Sequence, residues 1–192
     1  MLAKETSMMS RILIIFFILN FYNPVYSSIK EKIISQLQLT NTLSFNFIQT
    51  IDNKNEKGKC TIKYPKKIYC KYEGKNKKII VSNGKSLVIK TKNLGNYYLY
   101  PLNRTPLEYL LDKEYLISKM KILEPREIDN KYLNFRILDN NNEINLFFDM
   151  RNLNLVGWQT DDIYQKLTIT FISSVKTNQK INKNIFKLPL RD

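Results

Sequence analysis

Residues 60–70 read CTIKYPKKIYC, and the cysteines at the two ends are the only two in the chain. Pro65 stands midway between them. About that centre Cys60 falls opposite Cys70 and Ile62 opposite Ile68, so the stretch is predicted to be a strand, a turn and a strand. Side chains alternate across a strand, so Cys60, Ile62, Ile68, Cys70 and Tyr72 share one face, while Lys63, Lys67 and Lys71 share the other. One side of this hairpin suits an apolar interior and the other suits water. The cysteines either bond across the pair or lie side by side as buried thiols. An oxidising compartment favours the bond, and no neighbouring group would activate a thiolate.

The compartment is read from the first 27 residues. Arg11 precedes the apolar run ILIIFFILNFY, Ile12 to Tyr22, and NPVYSS follows it. These are the basic, apolar and small-residue parts of an export leader, with Val25 at −3 and Ser27 at −1. The run is shorter than the ~20 apolar residues of a spanning helix. The expectation is a signal peptide over residues 1–27, cleaved near Ser27, with export to the periplasm; an uncleaved anchor is the alternative. Residues 28–192 are then expected to form a single domain, since about 165 residues suffice for one core and no repeat or linker interrupts them.

The formal net charge of +14 raises a nucleic-acid reading. The lysines, however, are spread thinly along strands among asparagines and isoleucines, and an exported chain rarely meets nucleic acid. No nucleic-acid partner is expected; an anionic membrane face suits the basic surface better. There is no histidine, which removes the commonest general base, the histidine-dependent triads and the usual zinc sites. No glycine-rich phosphate loop occurs. Asp161, Asp162, Glu124 and Glu127 read as solvated turn residues. The expectation is a protein that is not an enzyme and has no cofactor or metal.

Outward from the hairpin, IKEKIISQLQL (residues 29–39) places Ile29, Ile33, Ile34 and Leu37 at helical spacing. The period then falls to two, and Leu43, Phe45, Phe47 and Gln49 share a strand face. KKIIVSNGKSLVIKT carries Asn83-Gly84 as a type I′ turn between two β-rich runs. Both runs are apolar on both faces, so parity leaves their inward side open. NYYLYPL, residues 96–102, is a further strand ended by Pro101. In RTPLEYLLDKEYL, Thr105, Pro106 and Glu108 read as an N-cap, a first helical proline and a capping box, with Leu107, Leu110 and Leu111 as the apolar stripe. Two more hairpins follow, YLNFRIL with EINLFFDM, and LVGWQTD with IYQKLTITF. The fold class is α+β: one curved antiparallel sheet with helices gathered on one side.

The run FNFIQT…GKCTIKYPKKIYCKYEG…IIVSNGKSLVIK…YPLNRTPLEYLL, residues 45–111, resembles the LolA family of outer-membrane lipoprotein carrier proteins. The matching elements are Phe47 to Gln49, Gly58 to Pro65, Val81 to Lys85, Pro101-Leu102, and Thr105 to Leu111, with WQTDDIYQKLTITF and Phe186 to Pro189 closing the chain. The resemblance implies an incomplete, half-open β-barrel with an α-helical lid over a cavity for lipoprotein acyl chains. It implies loading by an inner-membrane ABC transporter of the LolCDE type and delivery to an outer-membrane acceptor, LolB where one exists, by a carrier expected to be monomeric. Expected cavity residues are Phe45, Phe47, Ile62, Ile68, Tyr72, Ile80, Leu87, Ile89, Trp158, Leu167 and Ile169, each of which could equally be filled core. Ile33, Leu37, Leu107, Leu110 and Leu111 would face down from the lid. Family members often carry an arginine before the hairpin proline, bonded to the lid; here Lys63 and Tyr64 stand there and are the candidates for that latch. The same half-barrel also serves other readings, a periplasmic lipid or glycolipid binder or a sensory module.

Overall fold

The computed structural model describes residues 28–139 and 142–191; the expected leader lies outside them. Helix α1, Ile29–Leu39, begins at a capping box: the Ser28 hydroxyl accepts from the Glu31 amide, and the Glu31 carboxylate accepts from the Ser28 amide. These two bonds satisfy donors that a helix start otherwise leaves open. The chain then enters β1 (Thr42–Ile51), β2 (Lys54–Lys63), β3 (Lys67–Tyr72), β4 (Lys78–Asn83), β5 (Ser86–Thr91) and β6 (Asn96–Pro101). Two short helices follow, α2 (Leu107–Leu110) and α3 (Lys113–Ile122). The rest is β7 (Arg126–Ile128), β8 (Tyr132–Asp139), β9 (Asn142–Asp149), β10 (Leu155–Asp161) and β11 (Leu167–Thr177).

All of these strands join one antiparallel sheet in the order β6-β5-β4-β3-β2-β1-β11-β10-β9-β8-β7. Strands β6 and β7 remain edges, so the sheet curls without closing. Register shifts between Ser44 and Asn46 on β1 and between Leu155 and Gly157 on β10 mark irregularities of the kind that bend a strand. The opening hairpin forms as its symmetry requires: Cys60 pairs with Cys70, Ile62 with Ile68 and Lys63 with Lys67. Cys60 and Cys70 are joined by a disulfide.

Three local expectations are corrected. The two-residue loop between β4 and β5 is Gly84-Lys85, one position later than Asn83-Gly84. Only Gly84 takes a positive φ there, whereas a type I′ turn needs two. Asn83 instead accepts from the amides of Lys85 and Ser86 through its side chain. The Thr105 capping box does not form, because the Thr105 hydroxyl donates back to the Leu102 carbonyl. The longer helix starts seven residues later, where Asp112 accepts from the Tyr115 amide as N-cap.

One core cluster spans the concave face. Toward β8–β10 it holds Phe135, Ile137, Ile144 and Leu146, together with Ile33 of α1, Leu111, and Met120 of α3, none more than 1% exposed. Phe135 meets Phe148, and Phe45 meets Trp158, edge to face at 5.8 Å. A separate apolar patch lies outside: Val81 and Val88 are buried beyond the main cluster, as is Phe186 in a 3₁₀ turn that packs on β3 and β4. This is why β4 and β5 are apolar on both faces. Their inner side chains face the concave interior and their outer ones lie under the C-terminal segment.

At the far end of the sheet Arg136 donates two hydrogen bonds to Glu143, at 3.0 and 2.8 Å. Those bonds hold the Glu143 carboxyl down at about 2. A depressed carboxyl contributes stability above its unfolded value and loses it as pH falls through the folded one. Arg136→Gln is therefore expected to return the NMR-titrated Glu143 midpoint toward 4.5. It should also flatten the loss of stability between pH 4.5 and about 2. An unmoved midpoint would contradict the pairing.

Candidate functional site

The concave interior is hollow toward β1–β5. A cavity of about 350 Å³ lies there, walled by Phe47, Ile68, Tyr72, Ile80, Leu87, Ile89 and Trp158 and by the disulfide itself. At about the 30 Å³ that a water-sized group occupies, this is room for one hydrocarbon chain of roughly a dozen methylenes. Pro106 and Leu107, at the start of α2, close one side, and Ile163 and Tyr164 from the β10–β11 loop reach the rim. Phe47 enters the wall because Gly58 has no side chain: a Cβ there would come within 2.7 Å of the Phe47 ring. The Phe47 ring then packs on Tyr72 at 4.8 Å.

The polar groups in the wall are mostly spoken for. The Tyr72 hydroxyl donates to Gln49 Oε1 at 2.8 Å, and Gln49 Nε2 donates to the Thr170 hydroxyl at 3.1 Å. Burial raises the Tyr72 hydroxyl above its ordinary range, so it stays a neutral donor. The Lys78 ammonium lies 3.8 Å from the centre of that ring and pairs with Glu56. Among the described residues no cluster of three or more His, Cys, Asp or Glu side chains is placed to hold a metal ion.

Of the expected cavity residues, seven stand in this wall and four do not. Phe45 and Ile62 are solid core, 3% and 2% exposed. Leu167 and Ile169 point the wrong way: Thr168 and Thr170 face the cavity, and Leu167 is 52% exposed on the convex side. The β10–β11 connection is longer than a turn at Asp161-Asp162 alone, and alternation counted through it leaves the sides unresolved. Of the expected lid residues, Leu107 alone touches this cavity. Leu110 and Leu111 are packed into the core, at 3% and 0% exposure. Ile33 and Leu37 line a second hollow of about 270 Å³ beside Tyr64, Phe148 and Leu155.

The hairpin turn is tied to the lid, though not by the residues expected. Lys63 is half-buried in the ladder, paired with Thr42 and Lys67, and Tyr64 faces the second hollow. Lys66, on the other side of Pro65, makes the connection. Its amide donates to the Leu111 carbonyl at 2.9 Å, and its ammonium lies 2.5 Å from Glu108 and 3.4 Å from Asp112. The hydrogen bond to Glu108 raises the Lys66 pKa above 10.5. On the lysine side the linkage therefore stabilises below 10.5 and fades as pH rises through the raised value. Partly buried charge-assisted bonds of this kind contribute about 1–2 kcal/mol. Lys66→Met is expected to lower stability by about that much and to speed amide hydrogen exchange across α2 more than in β8–β9. Exchange that rises equally everywhere would contradict a local latch.

The family model described as "Outer membrane lipoprotein carrier protein LolA" matches residues 38–189. The chain belongs to the LolA family. No curated protein sequence matches this LolA-family chain. Among solved structures, an uncharacterized conserved protein from Thermus thermophilus superposes with a TM-score of 0.50 at 7% identity, over 83% of this chain and 93% of the other. LolA superfamily protein NE2245 from Nitrosomonas europaea gives 0.42 at 10% identity, over 84% and 99%. At such identity the first likeness speaks for the shape of the sheet alone. For this LolA-family chain the open half-barrel expected from the sequence is the fold observed.

Proposed function

We propose that the protein is a periplasmic carrier that takes up the acyl chains of lipoproteins leaving the inner membrane and delivers them to the outer membrane. The observation that carries this reading is the lidded apolar cavity on the concave face of a LolA-family half-barrel. Burying a methylene is worth about 0.8 kcal/mol, so a lipoprotein's chains stay in a membrane unless an equally apolar site is offered. The cavity offers such a site to one chain. A cargo with two or three chains requires Pro106-Leu107 and the 163–164 loop to move outward. Loading falls to an inner-membrane transporter of the LolCDE type and unloading to an outer-membrane acceptor such as LolB where one exists. No bond is made or broken: cargo exchanges between burial sites of similar free energy.

The test is release from membranes. Mature protein is added to vesicles that hold such a transporter and a radiolabelled lipoprotein, with ATP. A soluble one-to-one complex is the expected product. Lipoprotein that stays wholly in the pellet at saturating carrier would overturn the reading.

A further inference from the structure

The cavity differs from end to end. In an antiparallel sheet, the ends of β1, β3, β5 and β10 and the starts of β4 and β11 lie along one edge. That edge contributes Thr91, Thr160, Thr168 and Thr170 to the wall, whereas the far end is Ile68, Leu87 and Leu107. Thr91 and Thr160 are 9% and 6% exposed, and neither Oγ1 has a hydrogen-bond partner. Among the described residues these are the buried side-chain polar atoms left without one, and both belong to this cavity. Native interiors leave few hydroxyls unsatisfied, because each is destabilising.

We propose that Thr91 and Thr160 form a hydroxyl subsite for the carbonyl oxygens of an acylated ligand, the ester or amide carbonyls where fatty chains join their head group. This rests on the carrier reading above. Rotation about χ1, between staggered wells, exchanges methyl and hydroxyl on each threonine and turns a donor toward the ligand. The tails then run toward Leu87 and Leu107. The head group emerges between the loops at residues 73–77, 92–95 and 162–166, which join the strand ends at that edge. A carrier with this subsite senses where the carbonyls sit as well as how greasy the chains are. It thereby distinguishes acyl esters from plain hydrocarbon.

Trp158, the one tryptophan of the chain, lines the cavity and reports occupancy by its fluorescence. The probes are a synthetic dipalmitoylglyceryl-cysteine peptide and its dialkyl-ether analogue, which has the same tails without ester carbonyls. The wild-type protein is expected to bind the ester about tenfold more tightly. The T91V/T160V variant is isosteric and removes only unpaired hydroxyls, so it should melt no lower than wild type. It should bind ester and ether alike, at the wild-type affinity for the ether. Equal binding of both probes by the wild-type protein would overturn the subsite and leave the carrier reading standing. Binding of neither probe would remove the carrier reading and the subsite with it.

Discussion

Leu110→Asp is expected to unfold the protein, whereas Leu107→Asp, three residues away, is expected to leave it folded but unable to hold acyl chains. Leu110 is 3% exposed in the core. The substitution removes buried apolar surface worth about 2–5 kcal/mol and places a carboxylate where desolvation costs several more. The sum approaches the whole stability of a domain, about 5–15 kcal/mol. Leu107 is only partly buried and faces the cavity from the first turn of α2, a position that accepts an acidic side chain. A charge there spoils the hollow rather than the core. Thermal melts and Trp158 titrations with a fatty acylated peptide separate the two effects. Leu107→Asp protein that melts with Leu110→Asp, or that binds as wild type, would contradict the placement of α2.

The second large effect is expected on opening the disulfide. Closing a loop of about ten residues stabilises by roughly 3 kcal/mol on the chain-entropy view. In a domain of this size that corresponds to a fall of about 6–12 °C in melting temperature. Cys60 and Cys70 are also part of the cavity wall, so the C60S/C70S pair adds two hydroxyls to an apolar surface. Weaker cargo binding should accompany the lower melting temperature. A melting temperature within a degree or two of wild type, in protein shown by mass to have lost the bond, would mean that the wall does not depend on it.

Much of this is legible in the chain because local rules and the fold agree. The cysteine hairpin follows from its symmetry about Pro65, and α1 from helical spacing that matches its bounds. Legibility ends where a long-range partner chooses. Nothing in NIFKLP indicates that Phe186 covers the outside of β4 and β5, so their inward faces cannot be told from the chain. The family pattern points to the residue before Pro65 for a latch, but the turn places Lys66 against Glu108 and Asp112, a pairing between residues about forty positions apart. Leu107, Leu110 and Leu111 look alike as a stripe. A break at Asp112 leaves the first at the cavity and sends the others into the core. The threonine edge escapes a sequence reading because Leu167 and Ile169 are more apolar than their neighbours Thr168 and Thr170, yet they lie on the outer side of the strand.

The central claim, that fatty chains enter the concave hollow, is tested most directly by photocrosslinking. A lipopeptide with a diazirine near the end of its acyl chain is irradiated with the protein, and the labelled peptides are sequenced. Label is expected at Ile68, Leu87 and Leu107, the deep wall of the cavity. Label confined to the exposed convex residues Ile48, Leu167 and Phe171 would place the chains outside the half-barrel and contradict the claim.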